Sequence, residues 1–253
     1  MAFTIDLSGQ TALVTGASKG LGEAIARGLA EAGANVVLAA RSKSAIESLA
    51  REIEAAGGAA LAVETDVTDE ASVDALVAAA LGRFGRIDAL VNNAGVGLTK
   101  ALVDMTLADW NRVIETNLTG VFLCTRAAAR PMLARGYGRV VNIASIDGTV
   151  GVAEVSAYCA SKAGVLNLTK ALALEWARKG ICVNAIAPGY FRTEMTEDAL
   201  DDPVVGPLML KRIPLRRVGR PEEIVPLAVY LASPLAEFVT GSAFVIDGGE
   251  TSR

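Results

Sequence analysis

The sequence predicts a doubly wound α/β fold: one domain over residues 1–253, with a seven-stranded parallel sheet and helices on both faces. Three observations predict it. Short runs of strand-forming residues alternate with longer Ala/Leu-rich stretches along the whole chain, as in repeated right-handed strand–helix–strand units. A glycine-rich turn sits between the first strand and the first helix. The 253 residues suffice for one well-shielded core without requiring a second.

The first strand, Thr11–Thr15, leads into Thr15-Gly16-Ala17-Ser18-Lys19-Gly20-Leu21-Gly22 and an Ala-rich helix over 20–32. Glycines at 16, 20 and 22 permit a tight turn and close approach of the backbone, so that a pyrophosphate can sit on free N–H groups at the positive helix end. The second strand, Asn35–Ala40, runs into Arg41 and then a helix over 44–56. An acidic residue here would hold a ribose 2′-hydroxyl; Arg41 instead suits a 2′-phosphate, with Lys19 as a second cation. NADP(H) is therefore expected over NAD(H), the alternative being two solvated cations. The third strand, Ala59–Glu64, is followed by Asp66 and Val67 and a helix over 70–84. Asp66 either accepts from an adenine amino group or simply starts the loop before the helix.

The fourth strand, Ala89–Asn92, ends in Asn92-Asn93-Ala94-Gly95, and a long helix is expected over 107–135 with Asn117 inside it. A mid-helix amide is unfavourable unless used, as a buried hydrogen-bonding group or in chemistry. The fifth strand, Arg139–Ile143, places Ser145 at the carboxyl edge of the sheet, as a turn cap or a ligand-facing hydroxyl. In the helix over 156–179, Tyr158 and Lys162 stand four apart and share a face. An adjacent ammonium lowers a phenol pKa and makes the pair a proton-transfer device, although alone the spacing fits a core Tyr beside a surface Lys. The sixth strand, Cys182–Ala187, precedes Pro188-Gly189. Residues 189–213 show no clear periodicity and are expected to form a substrate lid. A helix over 221–232 and a seventh strand, Ala243–Ile246, complete the chain.

Gly16-Ala17-Ser18-Lys19-Gly20 also satisfies the nucleophile elbow of hydrolases, but the chain contains no histidine, which removes every Ser-His-Asp triad. The net charge of -4 with scattered Lys and Arg argues against nucleic acid, and no apolar run reaches membrane length. Met1–Gly9 carries no basic leader pattern, and Cys124, Cys159 and Cys182 lie in apolar stretches without metal spacing. A cytoplasmic protein with a small-molecule partner and no metal is expected.

In the order and spacing of these motifs the sequence resembles the short-chain dehydrogenase/reductase family over essentially its whole length. The carriers are TGASKGLG at 15–22, Asn92-Asn93-Ala94-Gly95, Asn117, Ser145 with Tyr158 thirteen residues on, Lys162, and Pro188-Gly189. The resemblance implies that Tyr158 is the general acid/base and that Ser145 steadies the substrate oxygen. Lys162 would bind the nicotinamide ribose and lower the Tyr158 pKa, and Asn117 would hold a relay water. It implies cofactor contacts from Gly16, Ser18, Lys19, Gly20, Leu21, Gly22, Arg41, Asp66, Val67, Asn93, Ala94, Gly95, Pro188, Gly189, Thr193 and neighbouring Tyr190, with NADP(H) preferred. A homotetramer is implied too.

For the substrate, the pattern is similar both to 3-oxoacyl-thioester reductases and to gluconate-type dehydrogenases, with the first, or general ketone reduction, slightly favoured. An acyl carrier would want basic residues at the site entrance, for which Arg135, Arg139, Arg178 and Lys179 are candidates, or these are solvated surface charges. A non-catalytic NADP(H) sensor or scaffold is the reading from another class.

Overall fold

The computed structural model describes residues 4–252; Met1–Phe3 and Arg253, which belong to the expected 1–253 domain, lie outside them. Among the described residues seven strands form one sheet: β1 (Thr11–Thr15), β2 (Asn35–Ala40), β3 (Ala59–Glu64), β4 (Ala89–Asn92), β5 (Gly138–Ile143), β6 (Ile181–Pro188) and β7 (Ala243–Ile246). Their order is β3-β2-β1-β4-β5-β6-β7, and every pairing is parallel. The helices are α1 (Gly20–Glu31), α2 (Lys43–Ala55), α3 (Glu70–Phe84), α4 (Leu107–Ile114), α5 (Gly120–Arg135), α6 (Ser156–Trp176), α7 (Glu194–Asp201), α8 (Val205–Arg212) and α9 (Val225–Ala232).

Both sheet faces are covered, and neighbouring residues on one strand serve different cores. Val14, Val36 and Leu38 pack with Ile25 and Leu29 of α1 and Ala228 and Leu231 of α9. Leu13, Val37 and Val140 face the other way, onto Leu76 of α3 and Ala127, Ala128 and Met132 of α5. This is why all residues of β1, β4, β5 and β6 are buried. The chain runs outward from β1 to β3 and then returns to β4 beside β1. That reversal opens a crevice at the carboxyl ends of β1 and β4, where ligands of such sheets bind.

Four expectations need correction. The helix over 107–135 is interrupted: Glu115–Thr119 forms a π-helical turn between α4 and α5. The stretch 189–213 is not irregular, since α7 and α8 occupy most of it, each of only eight residues and too short for a periodicity to stand out. Asp202 joins them, accepting from the Val204 and Val205 amides at 2.8 Å. The final helix begins as a 3-10 turn at Pro221–Ile224, and α6 ends at Trp176 with a 3-10 turn over Ala177–Lys179.

Candidate active site

The phosphate-type turn is built by crowding. Gly16 has φ +65°, and a Cβ there would lie 2.8 Å from Ala94 Cα. A Cβ on Gly22 would lie 2.2 Å from the Gly16 carbonyl oxygen. Both positions therefore exclude any side chain, one by conformation and contact and the other by contact alone. The turn is tied to β4 from the far side: Asn93 Nδ2 donates to the Thr15 and Gly16 carbonyls at 3.1 and 3.0 Å. Thr15 Oγ1 accepts from the Asn93 and Ala94 amides at 3.0 and 3.2 Å. Asn93 and Ala94 thus shape the glycine turn, a bracing role that Thr15 shares and that sequence reading missed. The α1 N-terminus keeps the amides of Gly20, Leu21 and Gly22 pointing at this turn, as a pyrophosphate requires. Ser18 stands half-buried beside them.

At the end of β2, Arg41 and Asp66 line a cavity of about 440 Å³ together with Glu64, Thr65 and Ser72. Asp66 Oδ1 accepts from the Thr68 amide and hydroxyl, which holds its pKa below the ordinary carboxylate value; the cap of α3 is Asp69. Val67 is buried and wedges against Gly120, where a Cβ would meet its Cγ2 at 2.8 Å. Lys19 does not join Arg41. It pairs with Glu194 at the start of α7, because its turn faces that helix: a Cβ on Gly20 would lie 3.3 Å from Thr193 Cγ2. Thr193 itself is the N-cap of α7. Pro188 ends β6, and Gly189 packs so closely on Asp247 that a Cβ would lie 2.8 Å from its Cβ.

The proposed chemical groups converge at the carboxyl ends of β4 and β5. Asn117, fully buried in the π-turn, accepts from the Val96 amide at 2.8 Å and donates to the Val96 carbonyl and Ser161 Oγ at 2.9 and 3.1 Å. Its side chain thereby clamps the strand-end loop. Ser161, missed by sequence reading, relays that clamp to the Tyr158 carbonyl at 2.7 Å. A Cβ on Gly95 would lie 3.3 Å from Asn117 Oδ1 and 3.6 Å from Lys162 Nζ, so Gly95 closes over both. Ser145 caps the 3-10 turn Ile146–Gly148, accepting from the Asp147 amide at 3.1 Å, and its hydroxyl lies near enough to that of Tyr158 to lower the phenol pKa.

Tyr158 and Lys162 share a face as expected, with Lys162 Nζ 5.6 Å from the Tyr158 ring centroid. Burial is the largest influence on both groups. Burial pushes the Tyr158 pKa up to about 12, while the neighbouring Ser145 hydroxyl pulls it the other way. Burial likewise brings Lys162 down to about 8, and its ammonium donates to the Ile143 carbonyl at 2.8 Å. At neutral pH the pair is a neutral phenol beside a cationic amine.

The four basic residues considered for an acyl carrier do not reach the entrance. Arg139 is buried at the amino end of β5, donating to the Ser233, Gly138 and Gly180 carbonyls. Arg135 pairs with buried Asp88 at 3.0 Å, and Arg178 and Lys179 precede β6. All stand at the sheet edge opposite the site.

A crevice lined by a phosphate-type turn and a Ser–Tyr–Lys arrangement beside it define the class: an oxidoreductase. Comparison with known proteins agrees. A family model described as enoyl-(acyl carrier protein) reductase matches residues 16–251. A 3-oxoacyl-[acyl-carrier-protein] reductase of Synechocystis is 46% identical, covering 96% of this chain and 97% of that protein. The cis-4-hydroxycyclohexanecarboxylate dehydrogenase of Sinomonas cyclohexanicum is 48% identical over 96% and 97%. A crystal structure of a gluconate 5-dehydrogenase from Burkholderia cenocepacia with NADP and tartrate superposes with a TM-score of 0.95 at 40% identity, covering 98% of each chain. The chain belongs to the short-chain dehydrogenase/reductase family.

The buried lysine generates a test. Between pH 8 and 10 the folded state has released the Lys162 proton while the unfolded state, with an ordinary lysine pKa of 10.5, keeps it. Folding stability from this group therefore rises with pH across that window, by about 2 kcal/mol, before Tyr158 begins to act oppositely above pH 10. Urea denaturation at pH 8 and pH 10 is expected to show this gain in the wild type and its loss in Lys162→Met; equal pH slopes would refute it.

Proposed function

We propose that this protein interconverts a carbonyl compound and a secondary alcohol with NADP(H). The observation that carries this reading is the convergence of Ser145, Tyr158 and Lys162 at the carboxyl ends of β5 and α6's first turns, next to Gly95 and the glycine turn. The cradle fits a dinucleotide: the Gly16 and Gly22 positions leave no room for Cβ atoms, and the α1 amides face the turn. When bound, the reduced nicotinamide supplies a hydride to the carbonyl carbon. Ser145 holds the carbonyl oxygen, and Tyr158, neutral at pH 7, gives it a proton. Lys162, cationic and anchored on Ile143, offsets the negative charge left on the phenol and binds the nicotinamide ribose. Asn117 and Ser161 keep the loop at Val96 and the first turn of α6 in register. Oxidation reverses these steps.

The 2′-phosphate of NADP(H) falls to Arg41 beside the cavity it shares with Asp66, while Lys19 supports the lid. The NADP complex of the Burkholderia relative supports this choice. For the substrate, a 3-oxoacyl thioester or general ketone is supported by the Synechocystis relative, and a sugar acid by the gluconate dehydrogenases. The position of Arg135, Arg139, Arg178 and Lys179 speaks against an acyl carrier docked through them. Free Cys124, Cys159 and Cys182 accord with a cytoplasmic location. Exposed Phe122 on α5, Leu174 on α6 and Val245 on β7 support a homotetramer through these elements.

Tyr158→Phe is expected to lower kcat at least a thousandfold in an NADPH-absorbance assay over a ketone panel while NADPH still binds; near wild-type kcat would exclude the role. NADPH binding without turnover of any carbonyl or alcohol by the wild type would favour a sensor. Arg41→Ala is expected to weaken NADPH binding tenfold or more and NADH binding little, the loss of a charge-assisted contact, as read by fluorescence titration. Wild-type preference for NADH would overturn the cofactor choice. Sedimentation velocity should give a tetramer, and a monomer at micromolar concentration would refute that assembly.

A further inference from the structure

The mechanism leaves unused a charged group that stands beside Ser145. Asp147 lies two residues beyond Ser145 on the turn Ile146–Gly148, and its amide donates to Ser145 Oγ at 3.1 Å. Its flanking residues fix the turn. Ile146 is buried, and Gly148 sits so close to α6 that a Cβ would lie 2.9 Å from the Lys162 carbonyl. The Asp147 side chain is half-buried, and among the described residues no donor hydrogen-bonds or ion-pairs with its carboxylate. The groups that act on it electrostatically are Tyr158, Tyr190 and Arg212. Arg212, the cation among them, is held by Glu250 at 3.1 Å. Burial accordingly raises the Asp147 pKa, as for a carboxylate short of donors.

We propose that Asp147 is a specificity-determining residue, accepting a hydrogen bond from a hydroxyl on the substrate carbon next to the reacting one, so that the enzyme interconverts α-hydroxy ketones and vicinal diols. This rests on the oxidoreductase reading above. The physical reasoning is complementarity. A half-buried carboxylate beside the reacting oxygen's binding group repels a second anion there and is poorly matched to a bare alkyl chain. A neighbouring hydroxyl supplies the missing donor in a charge-assisted bond. The hydroxyl is unchanged by the reaction: the carbonyl carbon gains the hydride of the reduced nicotinamide, its oxygen gains the Tyr158 proton, and the vicinal diol leaves. Asp147 contacts the substrate without exchanging a proton with it.

Matched pairs test the assignment: 3-hydroxybutan-2-one against butan-2-one, and 2-hydroxycyclohexanone against cyclohexanone, each with NADPH. The hydroxyl makes a ketone intrinsically more reactive, so the readout is the change on mutation in the ratio of kcat/KM within a pair. In Asp147→Leu the ratio is expected to fall tenfold or more, mostly through loss on the hydroxylated partner. Isosteric Asp147→Asn, which keeps an oxygen acceptor without the charge, should fall about threefold and covers the event that the leucine variant does not fold. NADPH binding by each variant reports folding. Turnover with the same ratio in wild type and folded variants overturns the assignment, as does a wild type that reduces ketones but prefers the deoxy partner in both pairs. Both results leave the oxidoreductase reading standing. A wild type that binds NADPH and turns over no ketone or alcohol overturns that reading, and this one with it.

Discussion

The site depends on a single junction, where the end of β4 is stitched to the turn after β1. Asn93 spends its amide on two carbonyls of that turn, and Thr15 returns two bonds to the β4 end. With these contacts made, the space between the two strand ends is full, and only glycines fit at 16 and 22. A turn so constrained has its N–H groups fixed before any anion arrives, which removes most of the ordering entropy that a loose loop would lose on binding. The same stitching sets the height of Ala94 and Gly95, and through Gly95 the roof over Asn117 and Lys162.

From that junction a buried polar ladder carries order sideways across the sheet. Asn92 donates to Thr125 on α5 and to Asn142 on β5, at 2.8 Å each, and Asn142 donates to Thr169 on α6 at 2.9 Å. Polar groups this deep are costly unless paired, and pairing them with one another gives each element one acceptable register. The positions of Ser145 on the β5 end and of Tyr158 and Lys162 on α6 follow from that register.

Much of this was readable from sequence because it is local. Strand ends, the glycine turn, and the i, i+4 spacing of Tyr158 and Lys162 all depend on neighbours in the chain, and the strand limits agree to within a residue. What depended on distant partners was not readable. Lys19 turned to Glu194, some 175 residues away, rather than to Arg41. Arg139 looked like a surface cation and proved to be buried among carbonyls at the wrong edge of the sheet. The Tyr158–Lys162 electrostatics depended on how much water the assembled protein excludes, a quantity that spacing along a helix does not contain. Asp147 drew no notice, since a lone aspartate after a serine reads as an ordinary turn residue.

The π-turn at Glu115–Thr119 has a bearing on how this helix pair can vary. A π-turn holds one residue more than an α-turn, and a residue in an α-helix advances the azimuth by about 100°. Glu115–Thr119 is in effect an insertion stored inside a helix. Deleting one residue there would restore a regular helix from α4 into α5 and leave both flanks close to their present phase, because five π-residues turn the chain about as far as four α-residues. The cost of the deletion falls on the turn itself, where the extra residue is what aims Asn117.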